Sequence, residues 1–300
     1  MNIKAGLTVL ECIEQLESRF RSAGLVYGHG SDNSWDEAVF LVLSACDLPL
    51  TAGDEVAEMV LSPLQAECLS DWSNQRLIER KPLPYITGRA WLGGVEFICD
   101  HRALVPRSPL AELILNDYAP WLASEGSLKI LDLCCGGGCL GILAALQDPQ
   151  SQVLLVDIDS DALDLARENI LKHQVHSRVR CLQSDVLALC PAQSFDVVLC
   201  NPPYVDREDM GALPAEYLHE PSSALASGDD GLNFTRELLQ QLPSFLHEQS
   251  VVFLELGNSW EHFDQLFAGN TITWLEFEQG GWGVCVLTKS EVEELARALS

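Results

Sequence analysis

The sequence predicts an α/β protein, a doubly wound and mainly parallel sheet of seven strands, preceded by a small all-helical domain and a connecting β-hairpin. Three observations carry this reading. Residues 6–80 repeat apolar residues at helical spacing; from about residue 109 short runs rich in Val, Ile and Leu alternate with helical stretches; and prolines and glycines interrupt the chain between the two patterns. Strands that alternate with helices form parallel sheets, whose ligands sit beyond the carboxyl ends of the strands. The boundaries follow the composition: 1–85 for a helical domain, 86–108 for the hairpin linker, and 109–300 for the sheet domain.

The elements can be justified in order. Leu7, Leu10, Ile13 and Leu16 make the apolar stripe of a first helix; residues 36–46 and 63–80 continue the pattern, with Ser62 and Pro63 as a cap and first turn. KPLPYITGRA ends helicity through two prolines and a glycine, and WLGGVEFICDHRALVPRSP holds two short strand-like runs around turn residues. A helix over 109–123 then opens the alternation. Strand LKILDL, helix GCLGILAAL, strand QVLLVDI, helix SDALDLARENILKH and strands RVRCLQ and FDVVLC follow. Helix GLNFTRELLQQL, strand VVFLELG, a helix over 259–268 and strands ITWLEF and GVCVLTK complete it.

Charge narrows the function. The 300 residues hold 44 acidic and 18 basic side chains, a formal charge of −26, while 47% of residues are hydrophobic, enough to bury one large core or two modest ones. Phosphate binding needs clustered Lys and Arg, which this chain lacks, so DNA is not expected as a direct partner; an anionic surface instead speeds encounter with a basic protein. Glu11, Glu14 and Glu17 interrupt the N-terminal apolar pattern, which reads as an amphipathic helix, and no stretch approaches the roughly 18 apolar residues of a membrane span, so no membrane partner is expected. The odd total of 11 Cys, without CxxC pairs, reads as reduced thiols of a cytoplasmic protein. Cys134, Cys135 and Cys139 lie in a glycine turn without nearby His, so no metal is expected there.

Four strand ends carry the chemistry. The first runs from Asp132 through Cys134 and Cys135 into Gly136, Gly137 and Gly138, a turn whose glycines let backbone amides approach a ligand at a helix start. By itself this suits a flavin or nicotinamide equally, or tight packing. The second ends in Asp157, nineteen residues beyond Gly138, a distance at which a carboxylate accepts from both hydroxyls of a ribose. Asp157 or Asp159 could otherwise cap the next helix, a task expected of Ser160. The third brings Asp185 and Val186 to the same rim, an acceptor for an exocyclic amine beside an apolar cover, unless Asp185 is an exposed turn residue.

The fourth ends in Asn201-Pro202-Pro203-Tyr204. Its prolines stiffen the backbone and remove two amide donors, so the carbonyls there only accept. The Asn201 side-chain carbonyl and the Pro202 carbonyl are acceptors for a planar NH2 group, and Tyr204 adds a flat face. An NH2 nitrogen held this way has its lone pair aimed across the rim at an electrophile. A rigid turn after a strand is the plainer interpretation, weakened by register with the other three motifs.

With these motifs in order, the chain resembles the S-adenosylmethionine-dependent methyltransferases with an NPPY motif that modify amide or exocyclic amine nitrogens. The resemblance implies a class I (Rossmann-like) methyltransferase domain. It also implies that the turn of Asp132, Cys134, Gly136 and Gly138 holds the methionine part of S-adenosyl-L-methionine, Asp157 the ribose, and Asp185 with Val186 the adenine, while Asn201 borders the cofactor. Cys134 stands where the family's DxGxGxG has its first glycine. YGHGSDNSWDEA, LVPRSPLAEL, NPPYVDREDMGALPAEYLHEP, ALASGDDGL, LELGNS and WLEFEQGGWGVCVLTK are similar to the protein-glutamine methyltransferases acting on large-subunit ribosomal protein L-three, over roughly residues 20–295. Sister enzymes acting on peptide release factors typically carry PRPDTE where this chain has PRSPLAE. The implied reaction is in-line methyl transfer to a glutamine amide, with Asn201 and Pro202 as clamp, Pro203 and Tyr204 shaping the slot, no metal, and a basic ribosomal protein as partner. His29 and His219 are expected to be structural or substrate-contacting. The alternatives are release-factor methylation, nucleic-acid adenine methylation, which the acidity disfavours, and a non-catalytic ribosomal-protein docking factor.

Overall fold

The computed structural model describes residues 2–122 and 126–299. By its internal contacts the chain divides into two compact units. One is Met1–Ala90 with Cys99–His101 and Pro214–His219; the other is Trp91–Ile98, Arg102–Leu213 and Glu220–Ser300.

The first unit is helical. Helices α1 (Val9–Ser22), α2 (Ser34–Ala45) and α3 (Pro63–Leu77) pack through Ile13, Leu16, Phe20, Ala38, Leu41, Val42, Ala66 and Leu69, all buried. Leu10 lies off this seam and is exposed, so the α1 stripe is rotated from the one expected; Val9 and Cys12 take its place. Thr8 with Glu11, and Ser62 with Gln65, form capping boxes, and Pro63 stands in the first turn of α3. KPLPYITGRA holds a short helix, α4 (Leu83–Thr87), where no helix was expected. Its prolines sit at the N-cap and first turn, where the missing N–H costs nothing, and Gly88 ends it in a left-handed conformation. A two-stranded sheet follows, β1 (Arg89–Leu92) and β2 (Val95–Ile98).

The second unit contains α5 (Leu110–Leu115), β3 (Lys129–Leu133), α6 (Cys139–Gln147), β4 (Gln152–Asp157), α7 (Ser160–Lys172), β5 (Val179–Gln183), β6 (Phe195–Cys200) and α8 (Arg207–Ala212). It continues with α9 (Asn233–Gln241), β7 (Leu246–Glu255), α10 (Trp260–Leu266), β8 (Thr273–Trp274), β9 (Val284–Thr288) and α11 (Lys289–Ala298). The expected helix over 109–123 is only α5: Asp117 and Tyr118 take left-handed backbone conformations that end it, and residue 123 lies outside the described residues. Helix α11 was not anticipated, although Thr288 and Glu291 form a readable capping box at its start.

The seven strands are ordered β5-β4-β3-β6-β7-β9-β8, with β9 antiparallel to both β7 and β8. Alternate residues enter opposite cores. Ile130, Val197, Leu199 and Phe253 face α5, α6 and α7 through Ile114, Ile142 and Leu163, while Leu131, Val198 and Leu254 face α9, α10 and α11 through Leu238, Phe263 and Leu295. Strand order reverses between β3 and β6, and a crevice opens there beyond the carboxyl ends of the strands. No helix among the described residues is long and apolar enough to cross a membrane.

Candidate active site

A cleft of ≈ 1120 Å³, partly open to solvent, occupies that crevice. The turns after β3, β4, β5 and β6 contribute Cys134, Gly136, Asp157, Asp185, Val186, Asn201 and Pro203 to its wall, so the four strand ends converge on one space. Asp132, Gly138, Pro202 and Tyr204 do not line it.

Asp132 acts from beneath. Its carboxylate is buried, and Oδ2 accepts the Gly141 N–H at 2.7 Å, fastening the first turn of α6 to the end of β3. Burial pushes this carboxyl up to about 7, with the nearby Asp157 charge adding to the rise. Gly138 serves packing as well as turning: its φ is +76°, and a Cβ there would lie 2.8 Å from Leu155 Cδ1. Cys134 occupies a left-handed φ of +57°, which explains why a glycine is natural at this point and costs a non-glycine residue about 1 kcal/mol. Its thiol is raised above the ordinary range, chiefly by burial and then by Cys200, and is therefore no nucleophile at neutral pH.

Asp157 holds the turn and faces the cleft at once. Oδ2 accepts the Gly136 N–H at 2.8 Å and Oδ1 the Asp159 N–H at 2.9 Å, which leaves one lone pair on each oxygen for a second donor. Two acceptors side by side suit a cis-diol. The cap of α7 is Asp159, whose side chain accepts from Asp161 N, and not Ser160, which is already the first helical residue. Val186 is buried with φ +42°, a conformation a β-branched residue tolerates only under tertiary constraint.

At the end of β6, the Asn201 side-chain amide and the Pro202 carbonyl have no hydrogen-bond partner among the described residues, so neither acceptor is committed within the protein; Asn201 lines the cleft and Pro202 is buried next to it. Tyr204 turns elsewhere: its OH donates to Glu255 Oε1 at 3.3 Å and its carbonyl accepts from Ser259 Oγ at 2.6 Å. The expectation that Tyr204 presents its face to the slot is therefore corrected, because its hydroxyl is drawn to a buried carboxylate behind the cleft.

Sequence reasoning assigned no role to residues 102–108, which also line the cleft. Arg107 makes a two-point ion pair with Glu220, at 2.6 and 2.8 Å, and Glu220 also accepts Val105 N. Arg102 is engaged by Glu168 at 2.7 Å. With the cleft's arginines paired, Asp157, Asp159 and Asp185 set a negative potential, favourable to a cationic ligand. LVPRSP was visible as a motif; its side-chain partners, more than 60 residues away, were not. His29 lies against Tyr217 with ring centroids 4.4 Å apart and planes tilted by 50°, and His219 Nε2 meets the Glu79 carbonyl at 2.7 Å; both belong to the helical unit.

Convergent carboxylates for a ribose and an amine beside an amide-rich turn fit S-adenosylmethionine. Known proteins agree. Residues 118–232 match the family model described as methyltransferase small domain. The ribosomal protein uL3 glutamine methyltransferase of Bordetella pertussis (strain Tohama I) is 40% identical over 286 residues, 95% of this chain and 96% of that one. Its counterpart from Francisella tularensis subsp. tularensis is 41% identical over 289 residues, 95% of this chain and 91% of that one. The similarity extends through the helical residues as well as the sheet, and the chain belongs to the family of ribosomal protein uL3 glutamine methyltransferases.

Proposed function

We propose that the protein transfers a methyl group from S-adenosylmethionine to the side-chain amide nitrogen of a glutamine in ribosomal protein uL3, the large-subunit protein L-three. The observation that carries this reading is the pair of available acceptors at Asn201 and Pro202, set at the end of β6 beside a cleft that Asp157 and Asp185 also line. The cofactor would supply a methyl group made electrophilic by its sulfonium.

The chain's own residues do the rest. The Asn201 side-chain carbonyl and the Pro202 carbonyl accept the two amide hydrogens, which fixes the amide plane and weakens the nitrogen's conjugation with its carbonyl. Pro203 borders the cleft and lacks an N–H that could compete. With the cofactor bound, its methyl group would pass to the nitrogen held by this clamp, and the proton lost by the amide would leave to water through the open side of the cleft. The turn at Cys134 and Gly136 holds the methionine portion, with Gly138 and Asp132 supporting that turn from outside the cleft, Asp157 takes the ribose hydroxyls, and Asp185 with Val186 takes the adenine. The proposed setting is the cytoplasm, in keeping with a sequence of 11 Cys without CxxC pairs.

Asp157→Ala should weaken cofactor binding about 30-fold or more, since it removes two acceptors from the ribose and releases the Gly136 and Asp159 amides; each hydrogen bond to a charged group contributes about 1.5–3 kcal/mol. Calorimetric titration measures this directly, and unchanged affinity would contradict the assignment. Labelled cofactor incubated with separately purified uL3, release factor and nucleic acid tests the substrate: label on a uL3 glutamine supports the reading, and label on another substrate or on none overturns it.

The helical unit is the proposed docking surface for uL3. Ile78 and Leu218 are 75% and 70% exposed, and their neighbours Glu79 and His219 are hydrogen-bonded, so the two apolar side chains share a region of that unit. Replacing both by Ser should raise KM for uL3 about five-fold or more through lost apolar contact while leaving cofactor affinity unchanged. An unaltered KM would remove this region from the docking surface.

A further inference from the structure

The LELGNS segment, residues 254–259, has no part in the mechanism so far, yet three of its residues converge on Tyr204. The Glu255 carboxylate accepts the Tyr204 hydroxyl at 3.3 Å, Ser259 Oγ donates to the Tyr204 carbonyl at 2.6 Å, and Gly257, at φ +46°, leaves room for the tyrosine ring where any Cβ would collide with Cε2. Glu255 is 6% exposed, and its second oxygen accepts Ser108 Oγ at 2.5 Å. Ser108 lines the cleft, and Asn201 and Pro203 line it one to three residues before Tyr204.

We propose that Glu255 is a positioning residue for methyl transfer, a buried carboxylate that ties two cleft-lining segments together by accepting the Tyr204 and Ser108 hydroxyls and so sets the Asn201–Pro202 clamp. The inference rests on the reading of that clamp as the amide site. A carboxylate has acceptor sites on both oxygens, whereas a protonated carboxyl turns one oxygen into a donor and cannot hold both hydroxyls in the same way. The junction is therefore sensitive to proton binding. Burial pushes the Glu255 carboxyl up to about 7, against the hydrogen bonds from Ser108 and Tyr204 and the charge of Arg107, all of which favour ionisation. Arg107 is itself paired with Glu220, and the residue opposite Glu255 on β9 is the uncharged Val284. The Tyr204 phenol is raised by burial and by Glu255 and stays protonated, a donor throughout the neutral range.

This differs from a merely structural glutamate in what it does to rate. In the parent enzyme kcat should fall as pH drops through about 7, as Glu255 takes up its proton. Glu255→Gln should lower kcat at high pH about ten-fold or more, to the level the parent reaches in acid, and should lose that acid limb, with cofactor affinity unchanged. Asp132, the other buried carboxyl raised to about 7, is present in both proteins and cannot account for the difference. Tyr204→Phe should resemble Glu255→Gln. A Glu255→Gln enzyme with parental kcat and the parental pH profile overturns the proposal.

A second measurement needs no protein substrate. With the five tyrosines ring-labelled with ¹³C and the Tyr204 signal assigned by its loss in Tyr204→Phe, that signal should titrate with a midpoint of about 7 in the parent and remain fixed in Glu255→Gln. A signal that does not move in the parent, or moves equally in both, refutes the junction. Failure of uL3 to accept label in the parent would strike at the substrate assignment while this titration still judges Glu255.

Discussion

Asn201→Ala should reduce methyl transfer about 100-fold or more and leave cofactor affinity within about two-fold. An amide nitrogen is a weak nucleophile because its lone pair is shared with the carbonyl, so the reaction depends on how the NH2 group is held. Among the described residues nothing in the protein occupies the Asn201 side chain, and its carbonyl is one of two acceptors that would do the holding. Removing one preorganised group that acts on the reacting atoms typically costs about 2.7–4 kcal/mol of transition-state stabilisation. Pro202, in contrast, acts through its backbone, so the loss of the Asn side chain leaves a one-sided clamp in which the amide rotates. The contacts assigned to the cofactor are made by other strand ends, at Asp157 and Asp185, which separates the two readouts. Single-turnover rates with saturating cofactor, beside a calorimetric titration, check both parts; a parental rate would refute the clamp.

The second large effect concerns stability. Arg76→Ala should lower unfolding free energy by about 3–5 kcal/mol. Arg76 is 1% exposed and sits in the helical unit with both Glu37 oxygens at 2.7 and 3.0 Å, the Val26 carbonyl at 3.0 Å, and Glu216 at 3.4 Å. Its removal would strand the buried Glu37 carboxylate and weaken the hold on Glu216, which also binds Val26 N and whose carboxyl Arg76 and Arg80 help to keep below the usual range. Exchanging Arg76 and Glu37 together for Met should cost far less, because no charge is then left buried alone. The urea midpoint of each variant measures this; equal losses in the single and double variants would show that the pairing contributes nothing.

That cluster also shows what could not be read from sequence. Glu216 follows Asn201 by 15 residues, and NPPYVDREDMGALPAEYLHEP looked like one loop attached to the catalytic strand. In the structure Pro214–His219 leaves the sheet unit and packs within the helical one, through Glu216, Tyr217 and His219. Nothing local marks this, because the partners Arg76, His29 and Glu79 are more than 130 residues earlier. The cap of α7 was misassigned between neighbours for a related reason: both Asp159 and Ser160 have suitable side chains, and the backbone at the end of β4 chooses Asp159.

By contrast, Asp132 to Gly138, Asp157, Asp185-Val186 and NPPY were legible as strand ends, since each motif is contiguous and parallel strands bring their carboxyl ends to one rim whatever lies between them. The sequence by itself thus determined the fold class, the rim to which the proposed chemistry is assigned, the cofactor type and the family. Tertiary structure alone decided which motif residues face the cleft and which stand behind it. Asp132 and Tyr204 are in the motifs, yet they work from beneath, because a backbone amide of α6 and the buried carboxylate of Glu255 claim their polar atoms. It also decided that Ser108 and Glu255, 147 positions apart, meet at all. Such pairings depend on the direction of each side chain after the sheet has closed, and that is set by packing and by the need to satisfy every buried polar group, which no local pattern encodes.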